Sequence, residues 1–297
     1  MMADARPPFD FPELLNSIEE VSANAQKRFY VATGATLGLL AAGSITALVP
    51  ETFFHNIGSF LTLVLFIVAL VLQVSRTAQK AEKEWYEARS AAESIKTASW
   101  EFAVGGEVFR KSEPGESDKE QRYIEVLKNI LHNVKSLDVG ASGQQNSAVT
   151  DSMKKLRVTD IANRCKVYRE KRVQDQIQWY SRKAEFNRRR GIFFSGFVIV
   201  LEFVAVILGI VRVMGSIGIN LLGPIAAIAS GLIGWMQAKK YTNLAEVYAM
   251  TSQEINLLQS TLRDDVTEPE WAQSVHDAEA AFSRENTMWQ ARRQSPV

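Results

Sequence analysis

The chain has 297 residues, enough for one large domain or two small ones, and its net charge is +1. Hydrophobic residues make up 46% of it, yet its mean hydropathy is −0.08, so the apolar residues must be concentrated in a few segments. The near-neutral charge gives no sign of nucleic-acid binding, and the single cysteine, Cys165, excludes an internal disulfide or a cysteine metal cluster. With three scattered histidines and no catalytic motif, the sequence predicts no metal site, no cofactor and no enzyme.

Four apolar stretches predict membrane-spanning helices. They cover residues 29–49, 57–74, 192–211 and 219–236, each close to the roughly 20 residues that a bilayer core requires. The first begins only after an acidic lead with Glu13, Glu19 and Glu20, so we expect a retained span and not a cleaved signal peptide. The sequence therefore predicts an all-α integral membrane protein with two transmembrane helical hairpins.

The orientation follows from the basic residues beside the spans. Lysine and arginine are enriched on the cytoplasmic side of membrane proteins. Here they flank the open ends of both hairpins, whereas the hairpin tips hold only Glu51 and Arg212 as charged residues. We therefore expect a multi-pass protein of the cell inner membrane whose termini and central segment are cytoplasmic. The flanking residues, which we expect to set topology and anchor the chain to lipid, include Arg188, Arg189, Arg190, Lys239 and Lys240.

Apolar residues outside the spans recur at alternating steps of three and four, which indicates helices that pack lengthwise on one another. The clearest line contains Trp85, Ala88, Ala92, Ile95, Ser99 and Phe102. No glycine or proline occurs over 59–104, 144–190 or 235–268, so we expect each stretch to be one unbroken helix. These long helices would extend the spans into a cytoplasmic helical bundle. Helices lying on the lipid surface are the alternative, but the mixed charge of their other faces disfavours it.

The same layout occurs twice along the chain. Polar helix, basic flank, hairpin and polar helix make a first membrane hairpin unit over residues 1–110 and a second over 151–297. Between them, residues 111–150 form a linker with one helix, bounded by Gly105, Gly106 and the flexible run Gly140 to Asn146.

Glu202 is the sharpest candidate for function, because it lies near the middle of the third span. An acid at the bilayer centre costs about 2.5–3.5 kcal/mol on the insertion scale, so it should face protein, water or a cation. One hypothesis places it in a cation pathway between several chains, with Glu51 at the outer mouth. The other is a hydrogen bond within the chain to Ser44, Thr46 or Ser230.

Small residues in the first and fourth spans are candidates for close helix packing. The spacing alone does not distinguish contacts within one chain from contacts in a homo-oligomer. The set contains Gly34, Gly38, Gly223, Ala227, Ser230, Gly231 and Gly234.

Several stretches resemble one family. The segments that carry the resemblance are 85–109 (WYEARSAAESIKTASWEFAVGGEVF), 153–190, 244–258 (LAEVYAMTSQEINLL) and 277–289 (DAEAAFSRENTMW). They are similar to bacterial SLATT-type membrane effectors, here with two hairpin units fused. The resemblance implies a role in antiphage or conflict defence, pore formation, and a nucleotide-signal synthase or sensor as partner. No nucleotide-sensing segment is recognisable, so the trigger is expected from a partner or from another surface of the chain.

Three hypotheses remain. A homo-oligomeric pore or ion channel in the lipid bilayer is favoured, since four helices of one chain leave no water path between them. A non-conducting membrane scaffold or sensor, acting through its cytoplasmic bundle, is the main alternative. A carrier fits poorly, because the spans are not broken by glycine or proline in the way carrier sites require.

Overall fold

A computed structural model describes residues 8–49, 56–75, 77–111, 116–134, 137, 147–215, 221–263 and 265–294. Over these residues the chain is helical and has no strand, as predicted. The helices are α1 (Glu13–Thr46), α2 (Ile57–Val74), α3 (Thr77–Val104), α4 (Glu116–Asn133), α5 (Asp151–Arg157), α6 (Ile161–Tyr168), α7 (Gln174–Val213), α8 (Leu222–Lys239), α9 (Tyr241–Thr261) and α10 (Glu268–Gln294). A short 3-10 helix, Glu107–Phe109, follows α3, and a π-helical turn, Arg169–Val173, joins α6 to α7.

Three helical stretches of the described chain are long and apolar enough to cross a membrane. They are Glu13–Thr46, Ile57–Val104 and Ile161–Val213. Only 11%, 11% and 6% of their most apolar windows is buried by the rest of the chain. The predicted fourth span is not among them: α8 is less apolar and contains Pro224, Gln237 and Lys239. Its membrane insertion stays a prediction.

The three expected unbroken helices are all interrupted. Over 144–190 the interruption lies between the end of α5 at Arg157 and the start of α6 at Ile161. The stretch over 59–104 is divided where α2 ends at Val74 and α3 begins at Thr77. There the Ser75 hydroxyl donates to the Leu72 carbonyl (2.7 Å) and lies 2.6 Å from the Thr77 hydroxyl. Such side-chain bonds compete with the helical backbone bonds.

The stretch over 235–268 is interrupted twice. Lys240 has a left-handed φ of 54° and separates α8 from α9, and α9 itself ends at Thr261. A residue other than glycine rarely adopts left-handed backbone angles. The stretch 235–268 contains no glycine or proline that would predict this interruption.

The chain divides into two compact units. The first contains Met1–Asn24, Glu84–Ala184 and Glu246–Val297, and the second contains Ala25–Lys83 and Glu185–Ala245. Helices α1, α3, α7 and α9 contribute residues to both.

The first unit has a well-defined aromatic and aliphatic core. Its fully buried side chains include Trp271, Tyr123, Tyr168, Phe102 and Ile255. The whole predicted line from Trp85 to Phe102 is buried, which confirms that the spacing marks a packed helix face. Three tryptophans that lie far from every predicted span, Trp100, Trp271 and Trp289, are expected from the sequence to be core residues of the helical bundle. Trp100 and Trp271 are buried, and the side chain of Trp289 lies outside the described residues.

The end of α3 is fixed by Gly105 and by side chains from other helices. Gly105 has φ +81°, and the amides of Gly105 and Gly106 both donate to the Glu101 carbonyl. Arg164 and Trp271 each donate to the Val104 carbonyl at 2.8 Å, and Arg157 donates to the carbonyls of Phe102 and Phe109. Carbonyls that lack partners at every helix end are thus satisfied here inside the core.

Gly105→Ala tests this helix end. A β-carbon at Gly105 would lie 2.7 Å from Arg164 Nη1, and its φ disfavours any L-residue with a side chain by about 1–2 kcal/mol. We expect a lower melting temperature for the detergent-solubilised protein. Gly223→Ala is the control, because nothing lies within 4 Å of a β-carbon there. Equal melting temperatures for the two variants would contradict this account of the α3 end.

Candidate functional site

Glu202 lies on the exposed surface of α7, within the apolar part of that helix. It makes no hydrogen bond or ion pair with any described residue. The hydroxyls predicted as its alternative partners are engaged elsewhere: Ser44 donates to the Ala41 carbonyl, and Thr46 is 2.8 Å from Thr62. Ser230 is exposed and not bonded to Glu202. The structure therefore does not support the hydrogen-bonded alternative for Glu202 within the chain.

Of the two charged residues at the predicted hairpin tips, the structure describes Arg212. Glu51, the second candidate for an ion pathway, lies outside the described residues. Arg212, on α7 in the second unit, has an exposed side chain. The charge balance at the tips is therefore a matter of sequence alone.

Three of the small residues make contacts inside the second unit. A β-carbon on Gly34 would lie 3.4 Å from the Trp235 ring, and one on Gly234 would lie 3.3 Å from Leu37. Gly231 also approaches Leu37, at 4.0 Å. Helices α1 and α8 thus pack closely through glycines, the packing expected of membrane helices.

Gly38 and Gly223 make no such contact with the described part of the chain. Nothing lies within 4 Å of a β-carbon on Gly38 or Gly223, and Ser230 is exposed. Ala227 is half-buried. This set is available for contact with lipid or with another copy, which stays a prediction.

The first hairpin is held by polar as well as apolar contacts. Thr62 on α2 donates to the Gly58 carbonyl, and its hydroxyl meets that of Thr46 on α1. A β-carbon on Gly43 would lie 3.1 Å from the Phe66 ring. Helices α1 and α2 are therefore in close contact through these side chains.

The basic residues in the second unit are paired to different degrees. Arg188 and Arg189 both bond to Glu185, and Arg190 lies over the Phe186 ring. The Lys239 ammonium lies 3.2 Å from the centre of the Tyr30 ring and 4.9 Å from that of Trp235, while Lys240 is 3.9 Å from Glu82. Aromatic and basic side chains grouped in this way are typical of a membrane–water interface.

A buried carboxylate organises the first unit. Both side-chain oxygens of Glu279 are bonded: Tyr168 and Arg172 Nε donate to Oε1, and Thr97 and Arg172 Nη2 donate to Oε2. The four distances lie between 2.7 and 3.0 Å, and Glu279 and Arg172 are 1% and 3% exposed. Sequence reasoning missed this pair, although Ala278, Ala281 and Phe282 around Glu279 mark a core-facing stretch.

Other polar groups of the first unit are also satisfied. The Tyr123 hydroxyl is 2.8 Å from that of Ser99, and burial raises the pKa of Tyr123 to about 12, so it stays neutral. His276 Nδ1 is 3.1 Å from the buried Glu101 carboxylate. Among the described residues, no group of His, Cys, Asp and Glu could hold a metal ion. These contacts satisfy polar groups in and around the core of the first unit.

Two family models match the chain. The one described as SMODS and SLOG-associating 2TM effector domain 3 matches residues 12–165, and the one described as SMODS and SLOG-associating 2TM effector domain 1 matches residues 168–289. Neither the curated proteins nor the solved structures give a match.

Replacing Arg172 tests the buried pair. Arg172→Met leaves the Glu279 charge buried without its cation, and removing one partner of such a pair costs about 3–5 kcal/mol. The double variant Arg172→Met/Glu279→Leu should lose less stability than the two single variants summed, because it removes both charges together. Thermal unfolding in detergent measures all three. Additive losses would show that the two side chains do not act as a pair.

Gly34→Leu and Gly38→Leu form a matched pair on α1. The first forces Trp235 away from α1 and should lower the melting temperature, whereas the second meets open space within the chain. If Gly38 instead contacts another copy, Gly38→Leu should reduce the oligomeric mass measured by light scattering without changing the melting temperature of the monomer. Equal destabilisation by the two variants would contradict the packing described for Gly34.

Proposed function

Because the chain belongs to the SLATT family of SMODS- and SLOG-associating 2TM effectors, with two such units fused, we propose that it is an effector that permeabilises a membrane as an assembly of several copies. It is a membrane protein, as its apolar helices and its family indicate. The proposal adds that the assembly conducts ions and that it acts in bacterial conflict defence.

Four spans in two hairpins fit this proposal. Each matched unit is described as having two transmembrane segments, which gives four for the chain. Helices α1, α2 and α7 supply three, and α8 supplies the fourth through its run from Leu222 to Met236. The shorter, less apolar α8 is compatible with a helix that packs against α1 through Gly234.

We infer the orientation from charge. Lys27 and Arg28 before the first span, and Arg188 to Arg190 before the third, favour a cytoplasmic side for the termini and the central segment. The membrane would then be the inner membrane of a bacterium, with both hairpin tips facing outward.

The single observation that carries the proposal is the exposed side chain of Glu202. An acid in an apolar helix face, without a partner in the described chain, would cost about 2.5–3.5 kcal/mol against lipid. That cost is avoided if the same face borders water or another copy. Four helices are too few to surround a water path, so conduction would require an assembly of several copies.

A non-conducting scaffold or sensor is the second candidate. The observation in its favour is the densely bonded first unit, whose Glu279 network resembles the rigid core of a binding module more than a channel gate. In this case the working surface would bind a nucleotide-signal synthase or sensor. The same partner would supply the opening signal if the protein is a pore.

Efflux from liposomes tests the pore. Purified protein reconstituted at matched density should release trapped potassium ions, and Glu202→Gln should change the rate or the ion preference, because it removes the charge at the middle of α7. Glu246→Gln is the control, since that exposed acid lies on α9 outside the apolar spans.

The two candidates give different outcomes in this assay. Efflux that responds to Glu202→Gln but not to Glu246→Gln supports the pore. The inserted oligomer could instead give no efflux, even after candidate signalling nucleotides and a partner protein are added. That result would contradict the pore and favour the scaffold.

A further inference from the structure

Three polar or small residues lie at regular intervals along the face of α7 that carries Glu202. Ser195, Glu202 and Gly209 follow one another at intervals of seven residues. Successive members lie about 10.5 Å apart along the helix, and the line they form winds slowly around it. Ser195 and Glu202 are exposed, and Gly209 is half-buried.

The adjacent face of α7 is already covered by the chain itself. A β-carbon on Gly191 would lie 3.6 Å from Tyr241, the Phe194 ring stacks on Tyr241, and Val198 is 7% exposed. The line of Ser195, Glu202 and Gly209 therefore lies beside a packed face of α7. A helix from another copy would contact side chains whose positions are already fixed by this packing. The far side of α7 differs, because it presents large apolar residues such as Val200 and Phe193, 57% and 62% exposed, together with Gly196.

We propose that the α7 helices of several copies pack in parallel with Ser195, Glu202 and Gly209 facing a common axis, and that the resulting ring of carboxylates selects cations. This inference rests on the proposed function, which requires an assembly but leaves the lining helix and the permeant ion open. It assigns the path to the second hairpin, with α7 as the lining helix.

The seven-residue interval identifies another copy of α7 as the occupant of this face. In parallel helices that supercoil around one another, residues seven apart lie on one line, and every copy presents the same residue at the same level. Ser195, with its small side chain, and Gly209, which has none, limit the bulk one level below and one level above Glu202. The nearest described atom to a β-carbon at Gly209 is Leu222 Cδ2, at 4.0 Å. A lipid tail would satisfy neither the hydroxyl nor the carboxylate.

Charge determines what lies on the axis. Carboxylates from several copies at one level repel one another, and a cation between them removes that repulsion. The Ser195 hydroxyls offer further acceptor oxygens one level nearer the basic end of α7, where Glu185 bonds to Arg188 and Arg189. The complementary occupant of the ring is thus a small cation, and an anion would be repelled.

Cysteine cross-linking tests the placement of α7 without needing conductance. In a Cys165→Ala background, Ser195→Cys and Glu202→Cys should form dimers and larger species with a short bis-maleimide in membranes. Both should react several-fold faster than Val200→Cys, an equally deep residue on the opposite side of the helix. Equal or faster cross-linking of Val200→Cys would overturn the proposal.

The reversal potential under a potassium chloride gradient tests the selectivity. Wild type and Glu202→Asp should favour potassium over chloride, and Glu202→Gln should lose that preference while still conducting. Conductance with unchanged selectivity in Glu202→Gln overturns the carboxylate ring but leaves the pore intact. Cross-links at 195 and 202 without any conductance would instead overturn the pore and the cation path with it.

Discussion

The first unit depends on one buried ion pair. The carboxylate of Glu279 is removed from water, a change that is tolerated only when its charge is balanced and its oxygens are bonded. Arg172 balances the charge, and Thr97 and Tyr168 complete the bonding. Since these partners come from α3, α6 and the π-helical turn, a single side chain of α10 fixes the positions of three other elements. The aromatic core around Trp271 and Tyr168 packs within that frame.

The second unit contains a glutamate, Glu202, that is exposed instead of enclosed. Its helices are held by glycine contacts at Gly34 and Gly234 and by rings around Lys239, with no buried ion pair among the described residues. Glu202 is left on the outer surface of α7. One glutamate is thus enclosed by its own chain, whereas the other is exposed and has no partner among the described residues. The contrast agrees with the proposal that the second unit associates with other copies.

The sequence predicted those features that follow from the spacing of apolar residues. The line from Trp85 to Phe102 is buried as expected, because three-and-four spacing fixes which face of a helix is packed. The break at Gly105 was equally predictable. Ser75 and Lys240 were not, since serine and lysine are compatible with helix, and neither the hydroxyl bonds at Ser75 nor the left-handed φ of Lys240 follows from the spacing of apolar residues. Glu279 was missed because an analysis of apolar spacing assigns every charged residue to the exposed face. The position of Glu202 along its span did not indicate whether its side chain faces the other helices or the surroundings.

The cap on α3 has a consequence for the order of folding. The Val104 carbonyl receives its bond from Trp271, 167 residues further along the chain. A growing chain emerges from the ribosome with its N-terminal part first, so this carbonyl has to be hydrated, or bonded to Arg164 alone, throughout the synthesis of the second hairpin. The first unit is therefore completed last, after all the apolar helices have been made. Contacts of such long range close slowly, so we expect the mature fold of the first unit only after the apolar helices have been synthesised.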